Sequence, residues 1–160
     1  MAGYGTDAGM TAWLADNGLT LPGTAPTLAV LRQRGSAYVD ATYGQRLTCS
    51  VQTGGALQER AWPRTGHPQV SADVIPLPWV HASYRAGFLS ATLTGGLSRQ
   101  VDGNARVTKQ KVDVIERTFA DNGALLPGQA VGLVDAEIDG MVAPFLCSLT
   151  PILGIRSIGS

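Results

Sequence analysis

Few residues of this 160-residue chain are of types that carry out covalent chemistry. The two histidines are His67 and His81. His67 stands between Gly66 and Pro68 in loop-like sequence, whereas His81 falls within a helical pattern. A relay of nucleophile, histidine and acid needs all three in contact. The hydroxyl nearest His81, Ser83, is two positions away and so lies on another face of a helix. No GxSxG elbow, no P-loop and no GxGxxG following a strand occurs. The carboxylates Asp135, Glu137 and Asp139 are spaced by two, so on a helix they diverge as a solvated face rather than forming an acid–base pair. Cys49 and Cys147 belong to no CxxC or Cys/His cluster and read as buried free thiols rather than metal ligands. These residues imply no enzyme activity, no catalytic residue, no cofactor and no metal.

Charge and aromatic residues offer recognition instead. Arg99, Arg106, Lys109 and Lys111 oppose only Asp102 between positions 99 and 111, a local excess of three positive charges. Residues 132–140 carry the three acids and no base. Opposed patches of this kind can steer neighbouring subunits into a ring. The basic segment can also line a channel carrying DNA, or form an ordinary solvated loop. Trp62-Pro63-Arg64, beside Glu59-Arg60, pairs an aromatic ring with guanidinium groups. Such a ring can stack on a nucleobase, or it can anchor a loop onto the core. In the last ten residues, Pro151, Ile152, Leu153, Ile155 and Ile158 form an apolar tail with little local means of burial. Exposed apolar segments mark docking sites; the alternative is a tail folded back on its own core.

These residues need elements to position them. Thr6 as N-cap and Asp7 in the first turn predict a helix over Asp7–Asp16, stopped by Asn17-Gly18. Thr24 and Pro26 open a second helix, in which Leu28, Leu31, Gly35, Tyr38 and Thr42 recur at helical spacing before Tyr43-Gly44. Residues 44–73 show no sustained period, yet Leu57, Trp62 and Val70 imply a pinned loop. Pro76 and Pro78 precede a third helix with Val80, Tyr84 and Phe88 on one stripe. Alternation over Lys109–Phe119 predicts a strand or hairpin arm. Pro127-Gly128 introduces a last helix through Val131, Val134, Ile138, Met141 or Val142, and Phe145, which Pro144 bends or ends. The expected fold is mainly α: about four helices with a long irregular loop, a short β-hairpin and an extended tail. It divides into a helical domain over 1–147 and a docking tail over 148–160.

Composition narrows the function classes. The chain is 15% charged with zero formal net charge, whereas free nucleic-acid binders usually carry a basic excess. So low a charged fraction fits either the largely neutral surface of a loop-rich monomer or a surface partly covered by partners. There is neither a basic-then-apolar leader nor a run of about 18 apolar residues, so no membrane partner is expected.

The ordered stretches Gly3-Tyr4-Gly5-Thr6-Asp7, Ala12–Gly18, Leu31–Asp40, Gln58–Gly66, Ile75-Pro76 and Val142–Leu146 resemble a family of tailed-phage and prophage proteins across nearly the whole chain. The family is often labelled DnaT-like and single-stranded-DNA-binding. In overall plan it also resembles the head–tail connector (adaptor, head-completion) proteins. The connector resemblance implies a structural virion protein at the neck, made in the host cytoplasm. Twelve subunits would form a homo-oligomeric ring beneath the portal, bind tail or neck proteins and surround the packaged DNA. It places portal docking on Pro151, Ile152, Leu153, Ile155 and Ile158. Alternatives are a single-stranded-DNA binder of replication and another neck or tail-terminator component.

Overall fold

The computed structural model describes residues 2–93, 96–97, 109–112, 115–118 and 135–147, with side chains throughout except in the two strands within 109–118. The described fold is mainly helical, as expected, and its first helix starts at a capping residue. Thr6 Oγ1 accepts from the Gly9 amide at 3.0 Å and starts α1 (Asp7–Asp16). Gly18, at φ +64°, turns the chain out of it. Met10, Trp13 and Leu14 form the buried face.

Two long helices make the centre. The second, α2 (Leu28–Tyr43), begins later than Thr24 and Pro26 suggest, with Thr27 as its N-cap. A turn in which the Ala25 amide donates to the Pro22 carbonyl at 2.9 Å holds the intervening residues. The third, α3 (Leu77–Thr92), starts at the expected prolines. Its residues Trp79, Val80, Ala82, Ser83, Tyr84, Ala86, Gly87 and Leu89 are buried, so it is covered on most sides.

Glycine lets these helices touch backbone to backbone. A Cβ on Gly35 would lie 2.0 Å from the Ser83 carbonyl oxygen, and one on Gly87 would lie 2.6 Å from that of Leu31. The crossing sets the phase of α2. Leu31, Gly35, Val39 and Tyr43 form a continuous i+4 ridge towards α3, while Thr42 of the expected stripe is exposed and Tyr38 only half-buried.

Residues 44–73 are pinned by short elements. A 3₁₀ turn (Gly44–Arg46) follows α2, then β1 (Val51–Gln52) pairs antiparallel with β2 (Arg64–Thr65), with a second 3₁₀ turn over Gly55–Leu57. Arg64 donates to the carbonyls of Leu47 at 3.0 Å and Ala61 at 3.1 Å and to Ser50 Oγ at 2.7 Å. Further on, β3 (Lys109–Val112) and β4 (Ile115–Thr118) form the antiparallel ribbon that alternation suggests.

The last described helix, α4 (Ala136–Val142), runs into a 3₁₀ turn over Ala143–Phe145 that contains Pro144. Asp135 caps it, accepting from the amides of Glu137 at 3.0 Å and Ile138 at 3.1 Å. Of the expected earlier part, Pro127 to Val134 lies outside the described residues.

The free-thiol expectation is overturned: Cys49 and Cys147 form a disulfide, with Cα atoms 5.6 Å apart. A separation of 98 residues carries no sign of this, because only the folded chain brings the partners together. The Cys147 amide donates to the Arg46 carbonyl at 3.0 Å, which lays the end of α4 alongside the loop after α2.

Candidate nucleic-acid interface

Phosphate recognition needs cations that are not already occupied. The described side chains include six arginines and eight carboxylates, a formal charge of −2. Four of the six arginines work internally. Arg32 Nε meets Asp7 at 2.7 Å, and its Nη1 donates to the carbonyls of Gly3 at 3.1 Å and Gly5 at 2.6 Å. Arg60 pairs with Asp40 at 3.4 Å, donates to the Ala2 carbonyl at 3.0 Å and lies over the Tyr4 ring. Arg64 stitches the loop, and Arg85 binds α4. Only Arg34 and Arg46 are exposed and without a hydrogen-bond or ion-pair partner among the described residues.

The helical body therefore offers little to phosphate. The chain's remaining cations lie mostly in the basic segment. Lys109 and Lys111 are on β3, in register with Thr118 and Glu116 of β4. Arg99 and Arg106 lie outside the described residues, as do Pro151, Ile152, Leu153, Ile155 and Ile158. The ribbon follows α3 and precedes α4, which pack against each other. Arg85 of α3 ties the start of α4 to that helix, with Nη2 3.5 Å from Asp135 and Nε 3.1 Å from Glu137.

The three acids are thus not a freely solvated face. Asp135 and Glu137 both meet Arg85, and the Tyr43 hydroxyl donates to Asp139. Burial, then the Asp139 carboxylate, raises the Tyr43 phenol above its ordinary range.

Trp62 anchors the loop rather than presenting itself for stacking. It is 1% exposed, with ring centroids 5.2 Å from His67, 5.9 Å from Trp79 and 6.5 Å from Phe145. His67 is structural as well: its Nε2 lies 3.0 Å from the Phe145 carbonyl oxygen, and its Nδ1 accepts from the Gln69 amide at 3.2 Å. That pairing assigns the proton to Nε2. Buried Ser83 donates to the Trp79 carbonyl at 3.0 Å, while His81 stacks obliquely on Trp13 and Tyr84. Ser83 and His81 therefore have separate neighbours. Among the described residues, no group of three His, Cys, Asp or Glu side chains could hold a metal ion. No described helix is long and apolar enough to cross a membrane.

Sequence reasoning missed a buried polar knot beneath the loop. Tyr4 Oη donates to Asp40 Oδ1 at 2.8 Å and accepts from the Trp62 amide at 3.0 Å. Trp79 Nε1 reaches the same carboxylate oxygen at 3.4 Å. Burial raises the Asp40 carboxyl above its usual range, although bonds from Tyr4 and the Ala61 amide and the charge of Arg60 oppose this. Burial, reinforced by Asp40, likewise raises the Tyr4 phenol. The only signal in the sequence is that Tyr4, Asp40, Arg60 and Trp62 all fall within stretches of the resemblance.

Residues 3–154 match the family described as "Putative DnaT-like ssDNA binding protein". The match spans nearly the whole chain, and the chain belongs to this family. No curated protein and no solved structure matches it.

Proposed function

We propose that the chain binds single-stranded DNA through the basic segment bearing Arg99, Arg106, Lys109 and Lys111, with the helical body as its rigid support. Family membership over residues 3–154 is the observation that carries this reading. The charge distribution supports it. The body is acidic overall and uses most of its arginines internally, whereas the segment over 99–111 has an excess of three positive charges. Contacts to the phosphate backbone would supply affinity without base specificity.

The test is fluorescence anisotropy of a labelled oligothymidine across a salt series. Binding should weaken as salt rises, and Lys109→Ala with Lys111→Ala should lower the salt slope by about 1.4, at ~0.7 per phosphate contact. Absence of binding at moderate salt, or an unchanged slope, would refute the assignment.

A second reading is favoured by two exposed aliphatic side chains, Val51 of β1 at 70% and Leu57 of the following 3₁₀ turn at 93% exposure. Large apolar side chains left this exposed suit an assembled protein. In this reading the chain is a head–tail connector subunit, ringed beneath a portal, with the same basic segment facing packaged duplex DNA. Mass spectrometry of purified virions separates the two. A copy number near that of the portal supports the connector, whereas abundance in infected cells with absence from virions supports the replication role.

A further inference from the structure

A cleft of about 590 Å³ opens where α1, the start of α3 and α4 meet. Its apolar wall includes Trp13, Leu77, Pro78 and Met141. Leu77 is 63% exposed at the start of α3. The polar rim has one sign of charge. Asp16 is exposed and has no hydrogen-bond or ion-pair partner among the described residues. Glu137 meets Arg85 through Oε2 and remains 43% exposed. The C-terminal end of α1, where helix carbonyls concentrate negative potential, has no basic residue in its last turn. No lysine or arginine lines the cleft, whose wall also includes the imidazole of His81. Its chemistry calls for a ligand with large aliphatic groups and one positive charge.

The chain carries such a segment. Residues 151–158 read Pro-Ile-Leu-Gly-Ile-Arg-Ser-Ile, four large aliphatics with Arg156 as the single charge. Reach is ample. Glu137 and Met141 stand ten and six residues before Cys147, and most of that path is helical, about 15–20 Å in length. Arg156 lies nine residues beyond Cys147, a span of roughly 30 Å when extended. The disulfide fixes where the segment departs from the body.

We propose that the C-terminal segment over 151–158 docks within its own chain into the cleft between α1, α3 and α4, its aliphatic side chains against Trp13 and Leu77 and the Arg156 guanidinium at Asp16 and Glu137. The segment is then a built-in occupant that a competing partner must displace before it can use either the cleft or the tail. This inference is independent of the DNA-binding reading.

Zero-length carbodiimide coupling of the full chain bearing Arg156→Lys tests it. The expected result is coupling of the introduced amine to Asp16 or Glu137 at ten or more times the yield to Asp73, an exposed carboxylate that does not line the cleft. In a mixture of ¹⁴N- and ¹⁵N-labelled protein the couplings should join residues of one copy. Equal yields at Asp73, or predominantly mixed-label couplings, would overturn the proposal, the latter by making a second copy the occupant. In a parallel measurement on the unmodified tail, Asp16→Lys should speed tryptic cleavage after Arg156 at least tenfold. Asp16 is exposed at a helix end where a cation is favourable, so this variant keeps its fold. An unchanged cleavage rate would also overturn the proposal.

Discussion

Replacing Gly35 by Ala tests whether α2 and α3 meet as closely as the structure requires. The added Cβ would stand 2.0 Å from the Ser83 carbonyl oxygen and 2.6 Å from the Gly87 amide nitrogen. Ordinary contact begins near 3.4 Å, so the helices must part by about 1.4 Å at their crossing. Both obstacles are backbone atoms, so no side chain can rotate away to relieve them. The gap would propagate to Leu31 and Val39, each 0% exposed on the same ridge. Overpacking of this kind costs about 1–3 kcal/mol, here at the upper end, while the better helix propensity of Ala returns up to ~1 kcal/mol. The expected net loss is about 2 kcal/mol, a fall in Tm of roughly 4–8 °C for a chain this size. Urea denaturation followed by tryptophan fluorescence reads it directly. Gly23→Ala is the control: a Cβ there meets nothing within 4 Å, and the change should stay within about 0.5 kcal/mol of wild type. Gly87→Ala should also destabilise, and the double variant should lose less than the sum, because helices already parted accommodate the second methyl. A Gly35→Ala protein as stable as the control would show that the crossing is looser than described.

Other outcomes follow from the disulfide and the buried phenols. Reduction, or Cys49→Ser with Cys147→Ser, opens a loop of 98 residues and should destabilise by up to about 4.7 kcal/mol from loop entropy. Melting curves with and without reductant check this, and superimposable curves would refute a stabilising bond. Alkaline titration should unfold the protein through Tyr4 and Tyr43. Both folded-state pKa values are raised, so the stability they contribute is fully present below the ordinary phenol value near 10 and is lost as pH climbs through the higher folded values. Chemical denaturation between pH 9 and 11.5 should show stability falling with pH, and Tyr43→Phe should flatten that fall.

What could be read from the sequence divides by range. The first helix was legible because cap, first-turn acid and terminating glycine all lie within about a dozen residues. The prolines before α3 and the alternation around Lys109 are equally local. Trp62 as an anchor followed from a large aromatic residue in an otherwise unperiodic stretch. The phase of α2 was not legible, since Thr42 and Tyr43 are interchangeable until the Gly35–Gly87 crossing chooses the ridge. The Tyr4–Asp40–Arg60 knot and the Cys49–Cys147 bond join residues far apart in the chain, and no periodicity reports such pairs. Spacing by two misled the reading of Asp135, Glu137 and Asp139: it suggested divergence on a solvated face, but Asp135 is a cap. A capping residue points back along the first turn, which lets it share Arg85 with Glu137.

The same pairing bears on how the basic segment is presented. The basic segment lies between α3 and α4 in sequence, and these two helices pack against each other. α3 is buried on most sides, α4 inserts Ile138 and Val142 into the core, and Arg85 ties the foot of α4 to α3. Beyond Val142, the disulfide and the His67–Phe145 contact hold the far end of α4 to the loop after α2. The basic segment is therefore flanked in sequence by two fixed helices, which cost little further entropy to bring together when it binds. Two classes of substitution should then separate cleanly. Changes in the supports, such as Arg85→Ala, should lower stability while leaving the salt slope of DNA binding intact, because Arg85 contacts carboxylates and not phosphate. Changes at Lys109 and Lys111 should lower the slope while leaving the melting temperature in place. A support variant that altered the slope as strongly as the lysine variant would place phosphate contacts on the body, against the charge distribution described above.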